Sequence, residues 1–165
     1  MNALQSKERD FLKKILSYNV FPEINSKDFT ISSVVKQTFN EYTSKITIFA
    51  VLDSKVYFRM QDVYYNRFSL SDYKVKTTDP SLIIEADKVS SVDELIDYMN
   101  EIYLNTSVVG QKVKDFLLTK GIQIRLKKEN LEPFRLENPQ AGDNLTIFAV
   151  DNSYIFEGSL LIEFI

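Results

Sequence analysis

Asp93, Asp97 and Glu101 recur at every fourth position, a spacing that lines up three carboxylates along one face of a helix. Such a row serves acid–base chemistry or holds a hard cation only when further ligands face it. The 165-residue chain has no His and no Cys, so imidazole and thiolate partners are ruled out. The row reads as a solvated helix face without a catalytic or metal-binding role. The same absences remove the common zinc sites, the Cys nucleophile and the Ser-His-Asp triad. Ser54 and Lys55 are adjacent and would point to opposite sides of a strand, which excludes a Ser-Lys pair. All four glycines (Gly110, Gly121, Gly142, Gly158) lie in the second half, so the first 109 residues hold no Gly-rich phosphate loop. The expectation is a protein that is not an enzyme, with no catalytic residue, no cofactor and no metal.

The run from Val56 to Phe68 interleaves Tyr57, Phe58, Tyr64, Tyr65 and Phe68 with Arg59 and Arg67. Platforms of this kind stack the bases of single-stranded nucleic acid. A net charge of −3, from 20 Lys+Arg against 23 Asp+Glu, opposes a partner whose affinity comes from phosphate contacts. Lys127-Lys128 is followed by Glu129 and Glu132 and forms no basic patch. Nucleic acid is therefore not expected as a partner. With 9 Tyr and 12 Phe, more aromatic surface is present than a small core needs, and the excess favours protein interfaces. Tyr57, Tyr64, Tyr65, Arg67 and Phe68 are the candidate interface residues.

The elements that must carry these residues follow from periodicity. Leu4, Phe11, Leu12, Ile15 and Leu16 recur at helical spacing among Lys7, Glu8, Arg9, Lys13 and Lys14, predicting a one-faced helix over about 5–18 that Pro22 stops. Ser91-Val92-Asp93-Glu94 is a capping box, and Val92, Leu95, Ile96, Met99, Ile102 and Tyr103 form the apolar stripe of a helix at about 92–104. Leu82-Ile83-Ile84 reads as a strand. Residues 32–43 fit either a helical turn through Val35, Phe39 and Tyr42 or a strand.

Ile46-Thr47-Ile48-Phe49-Ala50-Val51 returns 99 residues later as Leu145-Thr146-Ile147-Phe148-Ala149-Val150, identical at five of six positions. An identical run of five is expected by chance in about one sequence in a hundred of this length. Asp53-Ser54 and Asp151-Asn152-Ser153 follow the two copies, and aromatics follow each turn. Upstream, Asp10-Phe11-Leu12 parallels Asp115-Phe116-Leu117, and Val109, Val113, Phe116 and Leu117 repeat the helical stripe ahead of a capping Gly121. The alternating segment predicts a strand partly buried on both faces. Return strands are expected at 55–60 with 63–70, and at 154–156 with 159–165, Gly158 marking a bend. The fold class expected is α+β, two tandem related units of a helix followed by a small antiparallel sheet or hairpin. The first unit spans 1–76 and the second 77–165, the latter carrying the additional helix at about 92–104.

Tyr154-Ile155-Phe156-Glu157-Gly158-Ser159-Leu160-Leu161-Ile162-Glu163-Phe164, following the Thr-Ile-Phe-Ala-Val strand and its Asp-Asn-Ser turn, resembles small domains of tailed-bacteriophage virion proteins. Val63-Tyr64-Tyr65-Asn66-Arg67-Phe68-Ser69-Leu70 resembles the same strand in the first copy, where Met60-Gln61 replaces the Gly-Ser step. The resemblance implies a non-enzymatic virion structural or assembly protein of the neck, tail or baseplate, a homo-oligomer contacting other virion proteins. The other reading is a small phage or mobile-element module that targets a host protein. Residues 1–75 carry a charge of +3 and 76–165 carry −6, which suits complementary contacts between halves or between neighbouring subunits. The N-terminus lacks the basic-then-apolar pattern of an export signal, and no apolar stretch is long enough for a membrane span. The expected location is the virion, after synthesis in a bacterial cytoplasm.

Overall fold

The computed structural model describes residues 3–19, 27–37, 41–51, 60–74, 79–106, 119 and 124–165, without the side chains of 3–6, 17–19 and 102–106. The described chain is α+β and divides into two compact units. Unit 1 comprises Met1–Arg67 together with Asp151–Ile155, and unit 2 comprises Phe68–Val150 with Phe156–Ile165. The chain thus passes between units at 67/68, 150/151 and 155/156.

Unit 1 opens with α1 (Ala3–Asn19). Leu12 and Leu16, one turn apart, are buried with Phe29 and Ile31 of β1 (Phe29–Ile31) and Ile46 and Ile48 of β3 (Ser44–Ala50). β3 is the central strand: β1 and β2 (Val35–Lys36) flank one side and β4 (Met60–Tyr65) the other, all antiparallel. Residues 35–36 are thus extended, settling the helix-or-strand alternative there; Phe39 lies outside the described residues. β3 buries Ile46 and Ile48 on one face, but Phe49 is 38% exposed on the other. Lys45 and Thr47 on that second face are half-buried, so the first copy is partly buried on both faces as expected, whereas Thr146 and Phe148 of the second copy are exposed. The expected single strand over 63–70 is also broken. It stops after Tyr65, where the Asn66 Oδ1 accepts from the Thr43 amide at 2.9 Å, and resumes as β5 (Phe68–Ser69) before a 3₁₀ turn at Leu70–Tyr73.

In unit 2, β9 (Ser159–Phe164) is central, parallel to β6 (Leu82–Ile84) and antiparallel to β7 (Asn144–Phe148). β5 pairs in parallel with β8 (Phe156–Glu157). Gly158 turns the chain from β8 into β9 at φ 79°, a backbone conformation that side-chain-bearing residues rarely adopt. The second helix, α2 (Val92–Thr106), buries Leu95, Ile96 and Met99. Its cap is close to the one expected: the Ser91 Oγ accepts from the Glu94 amide at 3.3 Å. The Glu94 carboxylate reaches one residue further, accepting from the amide and hydroxyl of Ser90 at 2.7 and 2.8 Å. Buried Asn100 accepts from the Leu126 amide and donates to the Leu126 carbonyl, at 2.9 and 3.0 Å, fixing the extended segment against α2. The helix expected around Val109 to Leu117 and the first turn at Asp53-Ser54 fall outside the described residues.

The two copies of the repeated hexapeptide adopt matching pairings. In unit 1, Ile46 opposes Val63 and Phe49 opposes Met60; in unit 2, Leu145 opposes Ile162 and Phe148 opposes Ser159. The partner positions, like the strand positions, are 99 residues apart, though Val63 and Met60 correspond to Ile162 and Ser159. Preceding the hairpin, Ala50 opposes Phe29 and Ala149 opposes Leu131, while the Val51 amide donates to the Asp28 carbonyl and the Val150 amide to the Asn130 carbonyl, both at 2.9 Å.

Candidate functional site

Asp93, Asp97 and Glu101 are exposed on α2, and the Lys128 Nζ lies 3.9 Å from Asp93. Lys127, Lys128, Glu129 and Glu132 are likewise exposed. Among the described residues no cluster of three or more acidic side chains is placed to hold a metal ion, and no helix is long and apolar enough to cross a membrane.

The outward face of the unit 1 sheet is different in kind. Because strand residues alternate, Lys45, Thr47 and Phe49 turn away from the core and stand opposite Tyr64, Asp62 and Met60 on β4. Asp62 sits at the centre of this face, accepting from the Thr47 hydroxyl at 2.8 Å and the Lys45 ammonium at 3.0 Å. The Thr47 hydrogen bond, then that of Lys45, lowers the Asp62 pKa below its ordinary value, and the Asp62 hydrogen bond raises that of Lys45. The charges thus satisfy each other, and the exposed surround is apolar and aromatic: Phe49, Met60 and Val51 at one end, Val35, Tyr42 and Tyr64 at the other. Tyr42 and Tyr64 lie with ring centroids 6.4 Å apart. The equivalent face of unit 2 exposes Phe148, at 52%, with Leu161, Ile83 and Ile165. A face of this composition offers apolar and aromatic contact area.

The candidate interface residues read from sequence separate accordingly. Tyr64 lies on the outward face, and Tyr57 is outside the described residues. Phe68 is half-buried in unit 2, its ring 6.4 Å from that of Phe156. Tyr65 and Arg67 face inward, which corrects their assignment to the surface. Arg67 is 5% exposed, and its Nη1 donates to the carbonyls of Asp151 and Ser153 at 3.3 and 3.0 Å. The Tyr65 hydroxyl donates to the Tyr154 carbonyl at 2.9 Å.

These two residues belong to a clamp within unit 1 around Asp151–Ile155. From α1, Glu8 is buried with its carboxylate accepting from the Ser153 hydroxyl at 3.0 Å and from the Tyr154 amide at 2.9 Å. The Tyr154 ring fills the core beside Leu12, Leu16 and Ile48, and its hydroxyl donates to the Ser32 carbonyl at 3.1 Å. Burial raises the Tyr154 phenol above its ordinary pKa. Lys36 pairs with Asp151 at the exposed end, and that hydrogen bond holds the carboxylate below its ordinary pKa. Sequence periodicity set Glu8 on the polar side of α1. Its position four and eight residues ahead of Leu12 and Leu16, on the stripe that is buried, was the available signal.

The model of DUF7941, a family of unknown function, matches residues 5–165, and the chain belongs to that family. No curated protein and no solved structure matches it.

Proposed function

We propose that this protein is a non-enzymatic structural or assembly component acting through protein–protein contacts, in the manner of a neck, tail or baseplate protein of a tailed-bacteriophage virion. One observation carries the reading: both units present the same face of the same hairpin to solvent, with Phe49 and Phe148 exposed at equivalent positions. Exposed aromatic and apolar side chains around an internally neutralised centre suit a surface that another protein covers. The partners in this reading are further copies of the chain and neighbouring particle proteins.

Two tandem copies of one unit are part of the proposal. Their support is the hexapeptide match together with the shared register, which keeps the 99-residue offset on both strands of the hairpin. Counted by unit, Lys and Arg against Asp and Glu give +2 for unit 1 and −5 for unit 2. Opposite net charges on the two units favour head-to-tail contacts, which close into rings or extend into stacks.

Light scattering of the purified protein over a range of protein and salt concentrations, with electron microscopy of any large species, tests the reading. The expected result is a concentration-dependent rise in mass that salt weakens, lost when Phe49 and Phe148 are both replaced by Ser. A strict monomer throughout, with specific capture of one host protein that the same double substitution abolishes, would replace it with the host-binding module.

A further inference from the structure

The two hairpins that share a register differ at one edge. Aligned through the 99-residue offset, β4 stands where β9 stands. The far edge of β9 carries β6 in parallel, with Leu82 beside Ile162 and Ile84 beside Phe164, and the Ile84 carbonyl accepts from the Ile165 amide at 3.0 Å. Among the described residues no strand lies on the far edge of β4. The Thr47 carbonyl accepts from the Ser32 amide, on the β1 side of β3. Ladder bonds alternate from one side of a strand to the other, so Ile46 and Ile48 bond Val63 and Gln61, and the backbone groups of Met60 and Asp62 point to the far edge.

Burial records the same difference. Gln61 and Val63 face inward opposite Ile48 and Ile46, yet Gln61 is exposed and Val63 half-buried. Their counterparts on β9, Leu160 and Ile162, are 2% and 0% exposed. β6 completes that sheet by burying Leu82 and Ile84 and turning Ile83 outward. β4 also lacks the devices that protect an edge from pairing: its six residues include no Pro, Gly or Lys, and its single charge, Asp62, is held by Thr47 and Lys45.

We propose that the far edge of β4 is a strand-acceptor site for an extended segment of a partner protein, one that runs parallel to β4 and alternates apolar and polar residues as Leu82-Ile83-Ile84 does. Main-chain hydrogen bonds to Met60 and Asp62 supply affinity, and apolar side chains laid beside Gln61 and Val63 supply selectivity. β6 is the precedent for this occupant, because it fills the same edge of the corresponding hairpin within the same chain. The site rests on the shared register of the two hairpins and not on the exposure of Phe49 and Phe148, so it is separate from the contact proposed above.

The probe is a fluorescent peptide of this chain's residues Asp79–Lys88, titrated into the full-length protein. Saturable binding is expected, weakened at least about tenfold when the peptide carries Leu82→Ser with Ile84→Ser, or N-methyl groups on those two amides, and little changed by Ile83→Ser. Amide exchange followed by NMR should show the Asp62 amide slowed at least about tenfold by the peptide, with the amides of Leu161 and Glu163 unchanged. Asp62→Pro removes the edge donor without touching the ladder to β3 and should abolish binding, whereas Asp62→Ala keeps the amide and should retain it. The peptide comparisons use the unaltered protein and stand whether or not Asp62→Pro folds. No saturable binding up to about 1 mM, equal binding of all the peptides, or protection confined to β9 would overturn the proposal. So would an Asp62 amide that slows with rising protein concentration alone, since a second copy would then hold the edge. Phe49→Ser with Phe148→Ser leaves the edge backbone in place and should leave peptide binding unchanged, whatever becomes of self-association; binding lost in that variant would move the site to the outward face.

Discussion

Replacing Glu8 by Ala isolates the cost of opening the clamp. The carboxylate accepts two hydrogen bonds, from the Ser153 hydroxyl and the Tyr154 amide, and hydrogen bonds to a charged group contribute about 1.5–3 kcal/mol each. Truncation also leaves the Tyr154 amide in a dry site, so Glu8→Ala is expected to cost about 3–5 kcal/mol. A whole domain is stable by about 5–15 kcal/mol, so the loss is a large fraction of the total. Glu8→Gln retains one acceptor for the Tyr154 amide, and the Ser153 hydroxyl can rotate to accept from the new amide group, giving a smaller cost of about 1–2 kcal/mol. Urea unfolding followed by circular dichroism and Tyr fluorescence measures both, since the chain has no Trp. Hydrogen exchange at the amides of Ile46 and Ile48, in the core that Tyr154 completes, assigns the loss to unit 1. A Glu8→Ala protein within about 1 kcal/mol of the parent, or equal costs for Ala and Gln, would refute the view that the carboxylate holds the segment.

Asn100→Leu should destabilise unit 2 by about 2–4 kcal/mol, because it strips both hydrogen bonds from the buried Leu126 backbone; urea unfolding reads it directly. Gly158→Ala should cost roughly 1–2 kcal/mol from its φ of 79° alone, since a Cβ there would lie 3.5 Å from the Ser69 Oγ in ordinary contact, and a neutral result would place the turn in a different conformation. Burial raises the Asp72 carboxyl above its ordinary pKa, so its ionised form opposes folding at neutral pH, and that penalty fades as pH falls through the raised value. Asp72→Asn should therefore be more stable than the parent at pH 7, with the gap closing towards about pH 4; parallel stability curves for the two proteins would contradict this.

Local signals predicted the local elements well. The Ser91 cap and the stripe from Leu95 to Met99 lie within a few turns of each other, and α2 forms where they point. Alternation in the hexapeptide predicted both copies of its strand for the same reason. What escaped was every feature whose partner is distant in sequence. A buried carboxylate looks like a surface one until Ser153 and Tyr154 are seen beside it, and Arg67, among aromatics, resembles a contact residue as readily as an internal donor. The parallel pairings of β6 with β9 and β5 with β8 join segments that carry no mark of each other. Alternation names two faces without saying how far each is covered, so the 52% exposure of Phe148 was not legible.

The insertion of Tyr154 into unit 1 also orders events during synthesis. α1 and β1 to β4 emerge from the ribosome long before the side chain that fills the space between them, so their core stays incomplete while most of unit 2 is being made. Contacts spanning so much of the chain slow folding and expose apolar surface meanwhile. A nascent chain interrupted anywhere ahead of Tyr154 lacks the anchor of its own first unit and offers quality control an open core, so completion of unit 1 reports that translation has passed residue 154.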